Sequence, residues 1–237
     1  MSQDFPISKC VSVIMPLYNE GRSISAVLAA VLDQSCVEEV IVVDDCSTDG
    51  SWEIVQKIAA NDSRITLHRH ERNRGKGAAI KTGVGKAKAS IVLIQDADLE
   101  YDPGEYPVII GPILRGKADA VFGSRFIGSH EHRVLYFWHS LGNKFLTLLS
   151  NMTTNLNLTD MEACYKVFKR ELIQSVNIEE NRFGFEPEIV AKIARTGARI
   201  YEVSISYHGR TYHEGKKIGW KDGVSAIRCI LKYGMFD

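Results

Sequence analysis

The sequence lacks any Cys-x-x-Cys pair, any excess of one charge and any apolar run long enough to cross a bilayer. Its five cysteines, Cys10, Cys36, Cys46, Cys164 and Cys229, are odd in number and widely spaced. That pattern argues against a disulfide framework and a zinc site, and it suits a reducing cytoplasm. Lys plus Arg and Asp plus Glu number 29 each, so no net field draws the chain to nucleic acid or to an anionic membrane. Contact with either must come from a local patch. A membrane span needs about 18 or more consecutive apolar residues, and none occurs. Residues 1–10 carry Asp4 and Pro6 and no long apolar stretch, so they do not read as a signal peptide. Repeats, low-complexity tracts and linker-like segments are missing too. The economical expectation is a single domain over 1–237, soluble or peripheral, in the cytoplasm.

What is present is regular alternation. Hydrophobic residues make up 45% of the chain, enough for a full core. Val11–Pro16 reads as a first strand ended by Pro16, which cannot extend a hydrogen-bonded ladder. Ser23–Leu32 has helical spacing with Ser23 as N-cap, Glu39–Asp45 is a second strand, and Trp52–Ala60 a second helix. Ile65–His68, a helix over Ala78–Lys88, a strand from Ile91 and a fifth strand over Ala120–Arg125 continue the series, with a helix after Pro107 between the last two. Such βαβ alternation predicts an α/β fold with a mostly parallel central sheet flanked by helices. Beyond Arg125 the expected elements are a helix over Val134–Thr147, a strand at Cys164–Lys169, a helix opening near Phe183, a strand over Arg199–Ser206 and a helix over Trp220–Tyr233.

Two strands end in carboxylates. Ile91–Ile94 runs into Gln95-Asp96-Ala97-Asp98, and the second strand closes on Asp44-Asp45. Ligands of open α/β sheets bind beyond the carboxyl ends of strands. Alternating side chains of an extended backbone let Asp96 and Asp98 face one cleft together. Their mutual repulsion asks for a compensating cation, and Mg²⁺ or Mn²⁺ bound by carboxylate and substrate phosphate would supply it.

The set Pro16-Leu17-Tyr18-Asn19-Glu20, Val43-Asp44-Asp45-Cys46-Ser47-Thr48-Asp49-Gly50, Asn73-Arg74-Gly75-Lys76-Gly77, Asp96-Ala97-Asp98 and Gly123-Ser124-Arg125 resembles the family 2 glycosyltransferases. The resemblance spans roughly residues 10–217 and implies the GT-A nucleotide-diphospho-sugar transferase fold. Gly123-Ser124-Arg125-Phe126 and Arg210-Thr211-Tyr212-His213-Glu214-Gly215-Lys216-Lys217 make it most similar to polyprenyl-phosphate sugar synthases of the dolichyl-phosphate mannose synthase type. It implies a nucleotide-binding half over about 10–125, an acceptor half over about 126–217 and a C-terminal amphipathic helix over 218–237.

Residue by residue, the resemblance implies that Pro16, Tyr18 and Glu20 line the base and ribose pocket, with Val43 and Asp45 contacting the nucleoside. Asp96, beside Ala97, would face the nucleoside too. Asp98 would bind the metal, with Glu100 completing the coordination or holding a metal-bound water. Arg125, Arg210 and Lys216 would meet phosphates, the last two from a segment that closes over the diphosphate. Asp160 stands where inverting members carry the acid near the acceptor: for a hydroxyl acceptor it would be the general base, whereas a phosphate acceptor is already an anionic nucleophile near neutral pH and Asp160 need only position groups. Glu186 is the stronger of two acids in Phe183-Gly184-Phe185-Glu186-Pro187-Glu188, with Glu188 suited to the first turn of a helix. Gly75-Lys76-Gly77 reads chiefly as glycines permitting close helix packing, with a phosphate cradle as the alternative. Met161-Glu162-Ala163-Cys164 departs from the Ser-Gly pair and aromatic common in the lipid-phosphate synthases.

The expected activity is metal-dependent, inverting transfer of a hexose from a UDP-glucose or GDP-mannose type donor to a polyprenyl phosphate such as dolichyl or undecaprenyl phosphate. Transfer to a sugar hydroxyl of a polysaccharide or glycolipid, and a non-catalytic nucleotide-sugar-binding subunit, are the alternatives. Tyr136, Phe137, Trp138 and Phe145 in one segment, and the amphipathic 220–233 stretch, offer faces for peripheral contact on the cytoplasmic side of a membrane or with a membrane partner subunit. Nucleic acid is not an expected partner.

Overall fold

The computed structural model describes residues 9–128, 134, 136–209 and 220–236. The short apolar runs pair into one seven-stranded sheet: β1 (Val11–Leu17), β2 (Val37–Asp44), β3 (Ile65–Arg69), β4 (Ile91–Ile94), β5 (Ala120–Ser124), β6 (Lys166–Lys169) and β7 (Ile200–Ser204). Their order is β3-β2-β1-β4-β6-β5-β7. All pairs are parallel except those of β6, which runs antiparallel between β4 and β5. Helices α1 (Ile24–Leu32), α2 (Ser51–Ala59), α3 (Lys76–Val84), α4 (Tyr106–Leu114), α5 (Phe137–Thr154), α6 (Arg170–Ser175), α7 (Phe185–Arg195) and α8 (Trp220–Leu231) connect and cover the sheet. The strands β1, β2 and β4 are almost wholly buried, as central parallel strands must be.

From β1 the chain builds outward through β2 and β3, then returns to place β4 on the other side of β1. That reversal is a topological switch point, where the loops leaving neighbouring strands part and open a crevice. The loops there are 18–23 after β1 and 95–102 after β4.

Several boundaries differ from expectation for identifiable reasons. β1 continues through Pro16, which pairs with Val43, and ends at Leu17. Gln95 donates to the Ile14 carbonyl and β4 has ended by then, so the nitrogen of Pro16, facing the same side as Ile14, has no ladder partner to lose. Ser23 sits at the N-cap position, yet its hydroxyl makes no capping bond and donates instead to the Ala97 carbonyl at 2.9 Å. A 3₁₀ turn over Pro103–Glu105 starts the next helix before Pro107, which is tolerated within its first turn. Helix α5 extends past Thr147 to Thr154 and stops where Asn155 takes a left-handed conformation at φ 55°. The strand expected from Cys164 begins at Lys166, and the short helix α6 follows directly.

Candidate active site

The strand ends and their loops build two adjoining regions. In the first, β1 delivers Pro16, Tyr18 and Glu20 beside the end of β2, with Tyr18 exposed and Pro16 and Glu20 partly so. Asn19 holds this loop to the next one: its backbone N–H donates to Ser47 Oγ, and its side chain accepts from Thr48 N–H. Gly21 and Glu20 are tied likewise to Asp49 and Ser51 at the start of α2.

The acidic pair at the end of β2 divides its work. Asp44 is fully buried, accepts from Ser47 N–H with both oxygens and pairs with Arg69 at 3.0 Å, so it shapes the turn. Asp45 turns the other way and receives the backbone N–H groups of Arg74 and Gly75 at 2.9 and 2.6 Å, with His70 at 2.7 Å. Val43 is fully buried among the strands, and no part of its side chain is open to a nucleoside. This corrects the expected contact: Val43 packs the strand beneath the pocket.

By holding Arg74 and Gly75, Asp45 fixes the entry to α3 and so the direction of Lys76. The Lys76 ammonium bridges Asp96, at 3.0 Å, and Glu186 at the start of α7, at 3.2 Å. These carboxylates hold its pKa well above the usual lysine value against the opposing pull of burial. Gly75, at φ 99°, and Gly77 lie against the backbone of residues 180–182, where any Cβ would collide, and Ala78 N–H donates to the Asn181 carbonyl. The packing role expected of these glycines is what the structure shows, although their neighbour is the segment leading into α7 rather than the sheet.

The second region is an open cleft of about 440 Å³ between the ends of β4, β5 and the helices α5, α7 and α8. Lys76, Asp96, Glu100, Arg125, Glu162, Glu186 and Asp222 bring its charged groups. Asp98 is mostly buried and accepts from Glu100 N–H. Glu100 accepts from the hydroxyl of Tyr207 at 2.9 Å, and the Arg125 guanidinium lies over that tyrosine's ring at 5.0 Å. Arg125 is clamped from behind by Asp160, Nε to one oxygen at 2.6 Å and Nη2 to the other at 2.7 Å. Asn143 from α5 donates to the same carboxylate.

Asp160 is therefore fully buried behind Arg125 and absent from the cleft wall. Its geometry is that of a residue that aims a guanidinium, the positioning task expected of it for a phosphate acceptor rather than the base role expected for a hydroxyl acceptor. Glu186 lines the cleft, whereas Glu188 is fully buried and holds the turn at residues 179–180 through their N–H groups. Arg210 and Lys216 lie outside the described residues.

Residues 12–176 match the profile described as Glycosyl transferase family 2. The chain belongs to this family. Among relatives, it is 29% identical over 238 residues to undecaprenyl-phosphate mannosyltransferase of Micrococcus luteus, covering 95% of this chain and 94% of that one. It is 30% identical over 213 residues to undecaprenyl-phosphate 4-deoxy-4-formamido-L-arabinose transferase of Aeromonas hydrophila, covering 88% of this chain and 63% of that protein. Glucosyl-3-phosphoglycerate synthase of Mycobacterium tuberculosis, solved with Mn²⁺, UDP and phosphoglyceric acid, superposes with a TM-score of 0.73 at 20% identity, over 97% of this chain and 80% of that one. This likeness shows the GT-A fold.

For this glycosyltransferase the donor set can be tested against a divalent cation. Among the described residues no group of three or more His, Cys, Asp or Glu side chains converges as a protein-only metal cage. Asp98 and Glu100 are hard oxygen donors on one turn, the sparse set that suits a cation completed by substrate phosphates. The sequence pattern gave no role to Glu162 and a minor one to Lys76, because the cleft wall joins segments far apart in the chain, as the Lys76 ion pair with Glu186 shows.

Proposed function

We propose that this glycosyltransferase moves a hexose from a nucleoside diphosphate sugar to a polyprenyl phosphate, inverting the anomeric carbon in one displacement. The observation that carries the reading is the outer face of α5. Phe137, Leu141, Phe145, Leu148 and Met152 recur every three or four residues and are all exposed, with Phe137 at 69% and Met152 at 74%. Trp138, 76% exposed, adjoins this stripe and lines the cleft, so the apolar surface runs to the mouth of the site. A contiguous apolar patch of this kind marks a lipid or protein surface, and a water-soluble sugar acceptor has no use for one. No helix among the described residues is long and apolar enough to cross a membrane, so the lipid would be met from the side. The names of the two bacterial relatives, both undecaprenyl-phosphate transferases, point the same way.

The donor's nucleoside would lie against Pro16, Tyr18 and Glu20, with its diphosphate directed past Asp96 toward Arg125. Asp98, with Glu100, would hold Mg²⁺ or Mn²⁺, which when bound offsets charge on the departing diphosphate. Arg125 brings a permanent positive charge to the cleft beside that of Lys76; clamped by Asp160, Asn143 and the Tyr207 ring, it is oriented before substrate arrives. Lys76 keeps Asp96 and Glu186 apart and compensated.

The test is transfer of label from UDP-glucose, GDP-mannose and related donors, with Mn²⁺ or Mg²⁺, to undecaprenyl phosphate in detergent. Organic-phase product that requires both lipid phosphate and one donor supports the reading. Label passing only to soluble saccharides would overturn it in favour of hydroxyl transfer.

A further inference from the structure

Glycine inside a helix loses stability relative to alanine, so a helical glycine calls for a reason. Two in α3 have one: a Cβ on Gly77 would collide with the Glu180 carbonyl, and a Cβ on Gly83 with the Ile14 side chain. Gly142 of α5 and Gly223 of α8 do not. A Cβ on either would meet nothing within 4 Å among the described residues, and neither has a left-handed φ. Both line the cleft, so two helices that pack together each give up a side chain at the wall of one cavity. Along α5, Trp138, Gly142 and Leu146 follow at four-residue spacing and all reach that wall, and Ala226 stands one turn after Gly223 in α8. Asn143, next to Gly142, donates to Asp160 and accepts from the Arg125 guanidinium. The cleared surface therefore begins beside the group set to meet phosphate.

The same wall carries a buried acceptor that lacks a partner among the described residues, Glu162 Oε1. Such an orphan in a substrate cleft is accounted for when a ligand donates to it. A hexose has hydroxyls for this purpose and a hydrocarbon has none. The wall is thus divided by chemistry: charged and hydrogen-bonding groups match the sugar and its phosphates, while Gly142, Leu146, Gly223 and Ala226 match something apolar.

We infer that the space cleared by Gly142 and Gly223 seats the first isoprene units of the acceptor and makes these two glycines specificity-determining residues for a branched prenyl phosphate. The inference rests on the polyprenyl phosphate reading above and adds where the chain leaves the reaction centre. The acceptor phosphate must come within bonding distance of an anomeric carbon still joined to the diphosphate that Arg125 faces. The first carbons of the chain then lie only a few bonds away, where Asn143 and Gly142 form the wall. A prenyl chain bears a methyl branch in each unit and no polar group beyond its phosphate. A helix surface lacking a side chain leaves a notch that such a branch fills, and close packing there favours it over an unbranched chain. Exposed Trp138 carries the path onward from the cleft to the outer stripe of α5. Because the first units are held inside the cleft, they are recognised without a membrane.

The experiment measures transfer to farnesyl phosphate, to an unbranched alkyl phosphate of equal chain length and to undecaprenyl phosphate. The proteins are the wild type, Gly142→Ala, Gly142→Leu and Gly223→Leu, each with its melting temperature and its stabilisation by nucleotide. The wild type should accept farnesyl phosphate in solution and prefer it to the unbranched ester. In the leucine variants kcat/KM for both prenyl phosphates should fall on the order of 10- to 100-fold, chiefly through KM, with nucleotide stabilisation like that of the wild type. Gly142→Ala should show a smaller loss while melting higher, since alanine favours the helix, a combination that a merely structural glycine would not produce. Prenyl KM values unchanged in Gly142→Ala and in the leucine variants would overturn the inference, as would equal use of the branched and unbranched esters. Nucleotide stabilisation lost together with the rate would also overturn it, because the glycines would then serve the donor site or the fold. A wild type that labels undecaprenyl phosphate but refuses farnesyl phosphate would overturn the inference and leave the acceptor reading standing. One that labels no lipid phosphate would overturn that reading, and the inference with it.

Discussion

At the scale of single residues, Arg125 depends on how it is held. Its guanidinium sits in a two-pronged ion pair with a carboxylate that is completely shielded from water, and its flat face lies over Tyr207. A buried charge pair of this kind adds little net stability, and breaking it by removing one partner typically costs about 3–5 kcal/mol. The gain is orientation. Lysine keeps the charge but lacks the fork, so Arg125→Lys should leave a folded protein whose kcat is lower by on the order of 10²-fold, the scale of a misaligned catalytic group. Steady-state rates with circular dichroism as the folding control would check this, and a rate within twofold of wild type would show that charge alone suffices. Asp160 was legible in the sequence as an acid near the acceptor with a positioning task for a phosphate, but the group it positions was not, because Arg125 lies 35 residues earlier, just past the end of β5.

At the scale of elements, α5 packs Leu146 and Leu149 against the core yet leaves a second row of large apolar residues facing outward, which a soluble surface helix does not need. Thr147 and Ser150 are buried while Phe145 and Leu148 are exposed. Burying a Phe or Leu is worth about 1.5–3 kcal/mol each, so Phe145→Ser with Leu148→Ser should weaken co-sedimentation with lipid vesicles by on the order of 10²-fold or more. Nucleotide-induced stabilisation should be unchanged, and unaltered vesicle binding would contradict a lipid-facing role for this helix. The helix pattern itself was readable from the spacing of Phe and Leu. Which way the stripe faced was not, because a helical apolar stripe looks the same whether it meets a core or a membrane. The companion stretch at 220–233 resolved in the opposite sense for part of its length: Ile230 and Cys229 are buried in contact with neighbouring helices, while Val224 stays exposed. Short elements were the least legible. The four residues of β6 carry no signal of direction, and its antiparallel insertion between β4 and β5 is fixed by pairing alone.

At the scale of the whole molecule, the sequence announced the parallel half of the sheet because each buried strand is an apolar run closed by a polar turn, and the carboxylates at those turns fall at the switch point beside β1. The later half reads poorly, since its strands are short and its site residues reach the cleft through contacts between distant segments, such as Lys76 with Glu186. The assembled molecule has the loops that follow β1 and β2, a charged cleft beyond the ends of β4 and β5, and an exposed apolar face of α5 that reaches the cleft at Trp138. That arrangement makes acceptor choice the central claim. The most direct measurement is a competition in which the protein, its preferred donor and a divalent cation are offered undecaprenyl phosphate and a soluble saccharide acceptor at equal concentration. The account predicts that label partitions almost entirely into the lipid phosphate, and that the sugar it carries has the configuration opposite to the donor's. Label appearing chiefly on the saccharide, or a retained configuration, would contradict it.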